Sequence, residues 1–326
     1  MDKIAPEQIC PHRLKLLRGS TSIKLPCCLS HPLDEINTGI HRVVIVIHGV
    51  LRNADVYFEN MSLAAEKAGT RGNTLIIAPQ FLVEEDIITF NLHDDIPYWG
   101  GETGEGWKKG DDSLTTNLNQ RLTTISSFDV VDQIISTVAN QDIFPNLNKV
   151  VITGHSAGGQ FVNRYAAGTR IDESLPEKIH LRFIVANPST YMYLNGERRV
   201  LKTTDKFEIP LNAPDNYDHY KYGLMNLNPY MDDIGAEKIR EQYPDKDVVY
   251  LLGGEDTKKH HLELSTNAML QGLTRLERGQ IYFHYLCHLF GERIKRNHQI
   301  HIIPCVGHDN AAMFMAPAGI NAIFDV

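Results

Sequence analysis

Apolar positions fall in short unbroken runs along the chain. Val43-Val44-Ile45-Val46-Ile47, Thr74-Leu75-Ile76-Ile77-Ala78, Val150-Val151-Ile152-Thr153 and Val248-Val249-Tyr250-Leu251-Leu252 stand out. Phe183-Ile184-Val185-Ala186 and His301-Ile302-Ile303 are weaker members of the set. A strand with one wet face alternates apolar and polar side chains. A continuous run instead predicts burial on both faces, as in a parallel sheet. Helical patterns lie between the runs, at Asp55 to Ala68, Phe128 to Asn140 and Gly158 to Gly168, with Ser126 and Asp129 spaced as a capping box. Strand alternating with helix predicts an α/β, doubly wound, mostly parallel sheet flanked by helices.

Residues 1–42 do not follow that alternation, and Ser22 to Leu29 predicts an antiparallel edge hairpin. Two further segments break the rhythm. Phe81 to Thr124 holds both tryptophans, Trp99 and Trp107, and the glycines Gly100, Gly101, Gly104, Gly106 and Gly110. Ser189 to Lys246 holds seven tyrosines, among them Tyr191, Tyr193 and Tyr243. Neither has a linker's composition, and long irregular segments in a compact domain are usually lids or binding loops. The expectation is one domain over residues 1–326, with a cap insertion at 190–246 between the strands near 183–187 and 248–252.

Composition removes several function classes. With 32 Lys and Arg against 40 Asp and Glu, the net charge is −8. No basic block is present, so a nucleic-acid partner is not expected. No stretch approaches the roughly 18 apolar residues of a membrane helix. Met1 to Arg18 is polar and broken by Pro6 and Pro11, unlike a signal peptide. The five cysteines, Cys10, Cys27, Cys28, Cys287 and Cys305, are odd in number and include no CxxC pair. They read as free thiols in a reducing compartment. A cytoplasmic location is expected, with secretion without a cleaved signal left open.

The third apolar run leads directly into Gly154-His155-Ser156-Ala157-Gly158-Gly159, a G-x-S-x-G between strand and helix. A sharp turn there strains the serine backbone and exposes its Oγ. Glycines are needed where a Cβ would clash. The helix starting at Ala157 aims free N–H groups at the same point, where they can hold a developing oxyanion. A serine nucleophile needs a base. His308 is the candidate, since it follows the last apolar run and a glycine near the end of the chain. The acid is expected after the preceding strand, at Gly253-Gly254-Glu255-Asp256. Asp256 is favoured over Glu255 to orient the imidazole. The second oxyanion donor is expected after the first core strand, in His48-Gly49-Val50-Leu51-Arg52-Asn53. Val50 N–H is favoured and Leu51 N–H is one register away.

These residues together make the chain resemble the α/β-hydrolase superfamily over about Val43 to His308. The resemblance implies a serine nucleophile at Ser156, an acid at Asp256 and a base at His308. More narrowly, His48 to Ala54, Ala78 to Phe81, Gly154 to Arg164, Gln271-Gly272 and Arg275 to Gly279 are similar to a branch found in bacteria and fungi, which implies no particular substrate. Val50 and Leu51 replace the glycines of the lipase-type His-Gly-Gly-Gly loop, so a bulky-alcohol preference does not carry over.

The function expected is therefore a serine esterase acting on a small acyl ester through an acyl-enzyme, with no cofactor and no metal. A thioesterase, amidase or peptidase would use the same residues, and a non-catalytic binding protein is the reading from another class. Trp99, Trp107 and Arg52 are expected around the substrate, the last facing an anionic group, although a salt bridge at a helix N-terminus is the more common outcome for such an arginine. The tryptophans and tyrosines equally suit a small core within the cap. His284, Cys287 and His288 are read as core packing rather than ligands. The Gly100 to Gly110 stretch lacks the Lys-Ser/Thr ending of a phosphate loop.

Overall fold

The continuous apolar runs form the middle of an eight-stranded sheet. The computed structural model describes residues 6–100 and 105–326. Its strands are β1 (His12–Arg18), β2 (Thr21–Leu29), β3 (Arg42–Ile47), β4 (Thr74–Pro79), β5 (Lys149–His155) and β6 (His180–Ala186). A small separate pair follows, β7 (Arg198–Arg199) and β8 (Phe207–Glu208), then β9 (Val248–Gly253) and β10 (His298–Ile303). The main sheet runs β1-β2-β4-β3-β5-β6-β9-β10. Every pairing from β4 to β10 is parallel, whereas β1 and β2 form an antiparallel hairpin joined antiparallel to β4.

The alternation missing from the sequence is present in space. Val43, Ile45 and Ile47 face one core while Val44 and Val46 face the other. In β5, Val150 and Ile152 divide from Val151 in the same way. Both faces are therefore covered by helices. In chain order these are α1 (Ala54–Lys67), α2 (Glu84–Thr89), α3 (Ser127–Val138), α4 (Ala157–Gly168), α5 (Pro229–Ile234) and α6 (Ala236–Gln242), then α7 (Thr266–Met269), α8 (Arg275–Phe290), α9 (Asn310–Met315) and α10 (Pro317–Phe324). Helices α3, α4 and α8 cover the first core. Helices α1, α9 and α10 cover the second. Ser126 caps α3 by accepting from the Phe128 N–H at 3.1 Å. Asp129 answers with its carboxylate near the Ser126 backbone N–H and also pairs with Arg18 at 3.3 Å.

The chain leaves β3 for β4 on one side and returns to β5 on the other. Such a change of direction opens a crevice at the carboxyl ends of the two strands. Val50 follows β3 and Ser156 follows β5, so the topology delivers both to that crevice.

The irregular segments pack inward. Between β6 and β9 the chain carries the β7/β8 pair and the short helices α5 and α6. Tyr191, Tyr193 and Tyr243 from this stretch are fully buried and belong to the same core as the sheet and α8. They do not form a separate small core. Of the glycines in Phe81 to Thr124, Gly101 and Gly104 lie outside the described residues. Among the described residues no helix is long and apolar enough to cross a membrane.

The reading of five free thiols is corrected. Cys10 and Cys28 form a disulfide with Cα atoms 5.3 Å apart, leaving Cys27, Cys287 and Cys305 free. Neighbours on a strand point to opposite faces. Cys28 therefore reaches Cys10 while Cys27 turns away into the sheet, where burial pushes its thiol up to about 12. With this bond the cysteines no longer argue for a reducing compartment. The bond closes a loop of sequence separation 18, so Cys10→Ser or Cys28→Ser is expected to cost about 3 kcal/mol. Thermal melts with and without dithiothreitol check this. Each variant should melt with the reduced wild type, and identical reduced and oxidised wild-type curves would remove the bond from the stability of the fold.

Candidate active site

Ser156 stands alone between β5 and α4 with φ +60° and ψ −115°, a conformation that a side chain adopts only under constraint. Its N–H donates to the Ala186 carbonyl at 3.0 Å, tying the turn to the end of β6. The surrounding glycines are dictated by close approach. A Cβ on Gly158 would strike the Ile47 and His48 carbonyls at the end of β3, and one on Gly154 would strike the Gly158 backbone. The turn is thus wedged between β3 and β6, and no side chain fits in the wedge.

The loops after β9 and β10 are fastened together beside it. The Gly254 N–H donates to Ile303 O at 2.8 Å, and the Glu255 N–H donates to Val306 O at 2.9 Å. A Cβ on Gly253 would meet the Val306 and Gly307 carbonyls. This arrangement brings Ser156, His308 and Asp256 into one line. Ser156 Oγ lies 2.9 Å from His308 Nε2, and His308 Nδ1 lies 2.7 Å from Asp256 Oδ2. A carboxylate can only accept, so Nδ1–H is the donor and Nε2 is left to accept from the serine hydroxyl. The Asp256 side chain is 0% exposed and that of His308 24% exposed. Glu255, the alternative acid, points to solvent.

Two neighbours hold this line that the sequence did not disclose. Asn187, just past β6 with φ +44°, accepts at Oδ1 from the Gly253 N–H at 2.8 Å. Its Nδ2 lies 3.3 Å from His155 Nε2 and 3.5 Å from Gly307 O. One buried amide therefore touches the loops of the serine, the acid and the histidine. The His155 ring lies against His308, centroids 4.4 Å apart. Burial, then the fields of His308 and Arg275, push the His155 imidazole well below its ordinary value. It stays neutral beside His308.

The loop after β3 is braced from several sides. The His48 Nδ1–H lies 2.8 Å from Gly49 O, and its Nε2 accepts from the Phe81 N–H at 2.9 Å. Burial pushes this imidazole down to about 3 and keeps it neutral, while the two hydrogen bonds set its tautomer. The Arg52 N–H donates to Gly49 O at 3.1 Å, and the Gln80 amide donates to Arg52 O at 2.9 Å. The Gly49 and Arg52 carbonyls of this loop are thus engaged by the protein. Among the described residues the Val50 and Ala157 N–H groups have no such acceptor.

The expected pocket residues sit elsewhere. Arg52 forms a bidentate pair with Asp86, at 2.6 Å from Nε and 2.9 Å from Nη2, and also donates to Val50 O at 3.1 Å. Asp86 is fully buried, and a buried carboxylate requires a paired cation. Arg52 therefore braces the β3 loop through a salt bridge. Trp99 and Trp107 are 0% and 2% exposed. Trp107 lies against the His48 ring at 4.6 Å and stacks on Phe81 at 5.8 Å, while Trp99 Nε1–H donates to Asp111 O at 3.0 Å. Both are core residues under the loop because their large apolar rings are worth more buried there than at an open wall. His284 and His288 are on the exposed side of α8, not in the core, and His288 lies 3.3 Å from Glu197.

No protein-family model matches the sequence, and no curated protein does either. Solved structures do match. The poly(3-hydroxybutyrate) depolymerase LpqC from Bordetella parapertussis is similar at TM-score 0.61 and 23% identity, over 96% of this chain and 90% of that one. The poly(aspartic acid) hydrolase-1 from Sphingomonas sp. KT-1 is similar at TM-score 0.57 and 23% identity, over 97% and 99%. An IroE-like serine hydrolase from Shewanella oneidensis is similar at TM-score 0.50 and 9% identity, over 96% and 80%. With the sheet order and crossovers above, the fold is that of the α/β-hydrolases.

Proposed function

We propose that this α/β-hydrolase-fold chain is a serine hydrolase that cleaves carboxylic esters through an acyl-enzyme. The observation that carries the proposal is the hydrogen-bonded line from Ser156 Oγ through His308 to buried Asp256. Ser156 Oγ attacks the acyl carbonyl as Nε2 of His308 takes its proton. Asp256 keeps the proton on Nδ1 and stabilises the imidazolium that forms. The Val50 and Ala157 N–H groups hold the oxyanion, and a braced loop lets them do so without reorganising during the reaction. His308 returns the proton to the leaving alcohol. It then activates a water that releases the acid. These steps ask no cofactor of the protein, since nucleophile, base and oxyanion donors are all in the chain.

The partial exposure of His308 suits a small substrate arriving from solvent. The name of the depolymerase relative points to an ester polymer, and that of the second relative to a poly(amino acid). An amide arm therefore belongs in the test. Matched p-nitrophenyl esters, p-nitroanilides and acyl thioesters are offered to the purified protein. Ester turnover should exceed the other two. Faster cleavage of the anilide or thioester would replace the ester reading with an amidase or thioesterase using the same residues.

A further inference from the structure

Arg275 is among the most deeply buried cations of the chain, 1% exposed at the first position of α8. Thr274 caps that helix by accepting from the Glu277 N–H at 3.1 Å. The guanidinium is turned away from the helix toward the loop after β9. Nη1 lies 3.4 Å from Asp256 Oδ1 and 3.4 Å from Lys258 O, and Nη2 donates to His260 O at 2.8 Å. The Leu276 N–H adds a 3.3 Å bond to Asp256 O. The start of α8 therefore gathers the whole turn from Asp256 to His260. The two carboxylate oxygens of Asp256 are divided, Oδ2 to His308 and Oδ1 to Arg275.

We infer that Arg275 is a positioning residue for the proposed reaction, which locks the acid turn and sets how strongly Asp256 supports a protonated His308. The inference rests on the reading of Ser156, His308 and Asp256 as a triad. Its physical basis is competition for one anion. A carboxylate shared with a permanent cation stabilises an imidazolium less than an unshared one, because the cation opposes the new positive charge in a dry site. The charge is permanent because arginine does not deprotonate in this setting, although burial lowers its value and Asp256 partly restores it. The other groups around His308 are His155 from β5, neutral by burial, and His261 on the acid turn. His261 is pushed down by partial burial and by His260, with smaller effects from Arg275 and His308. Glu255, Lys258 and Lys259 lie on that turn facing solvent. Asp309, next to His308, spends its carboxylate on capping α9 by accepting from the Ala312 N–H at 2.7 Å.

The sign follows. Removing the cation makes the imidazolium easier to form, so His308 is lost as a base at a higher pH. Arg275→Gln and Arg275→Met should move the acid limb of kcat/KM upward by roughly 0.5–1 pH unit. They should also lower the plateau roughly 10- to 100-fold, because the acid turn loses its clamp. Arg275→Lys keeps a charge but not both arms, so its acid limb should stay at the wild-type position while the plateau falls. Far-ultraviolet circular dichroism and melting curves identify which variants fold. If both neutral variants fail to fold, the lysine variant carries the test, and a wild-type plateau in it overturns the inference. A folded neutral variant with an unmoved acid limb also overturns it. Fluorophosphonate labelling of the wild type is run alongside. If Ser156 does not label, the triad reading has failed. If Ser156 labels and the limb is unmoved, the role given to Arg275 alone has failed.

Discussion

Ser156→Ala abolishes labelling by a fluorophosphonate probe and lowers ester turnover by about 10⁴- to 10⁶-fold. The loss is chemical rather than structural. Alanine keeps the Cβ, so the φ +60° conformation and its strain are retained, and the Ser156 N–H bond to Ala186 O is a backbone contact that the substitution does not touch. The variant should melt with the wild type. Some rate above the uncatalysed reaction should survive if the Val50 and Ala157 N–H groups hold the oxyanion as proposed, since the substitution leaves both in place. His308→Ala should fall nearly as far, since residues that act as a unit lose the same rate when any one is removed. Labelling of Ser156→Ala at the wild-type rate would place the nucleophile elsewhere. Unchanged turnover in His308→Ala would break the line from Ser156 to Asp256.

What could be read from the sequence is what the backbone imposes locally. The strands were legible because burial on two faces leaves an unbroken apolar run, as in Val43 to Ile47. Ser156 was legible because its turn tolerates no Cβ at Gly154 or Gly158, a constraint written in consecutive residues. His308 and Asp256 followed from strand ends, since a sheet brings the exits of β9 and β10 together. The misreadings all concern which side chain meets which across the fold. Asp86 and Arg52 are separated by 34 residues and Cys10 and Cys28 by 18, and nothing local marks either pairing. The odd number of cysteines looked like a reason against a disulfide, yet strand alternation at Cys27 and Cys28 is what lets one pair and buries the other. Trp99 and Trp107 were placed at a wall because they lie in a long irregular segment near the carboxyl ends of strands. Both rings are instead buried, packed with Phe81 and His48. Asn187 and Arg275 carry no local signature, because their bonds reach distant loops that no stretch of sequence places beside them.

Asp256→Asn separates the acid from its neighbour and measures how much the line depends on it. The carboxylate accepts from His308 Nδ1–H at 2.7 Å. An asparagine that turns its NH₂ to that position favours the other tautomer, with the proton on Nε2 facing Ser156, where it cannot act as a base. Turnover should drop by about 10³- to 10⁴-fold. Glu255→Gln, at a side chain in solvent, should stay within about twofold. The same change also strips Arg275 of its anion. Both side chains are buried, at 0% and 1% exposure, and an unpaired buried cation costs more than an unpaired exposed one. Asp256→Asn should therefore lose roughly 1–3 kcal/mol of stability, since the amide oxygen still accepts weakly from Arg275. Adding Arg275→Met to it should recover part of that loss while leaving turnover low. The two measurements divide the roles of Asp256. Turnover reports its bond to His308, and the melt reports its bond to Arg275. A larger loss of turnover in Glu255→Gln than in Asp256→Asn would move the acid to residue 255. A double variant no more stable than Asp256→Asn would mean that the Asp256 and Arg275 charges are not coupled.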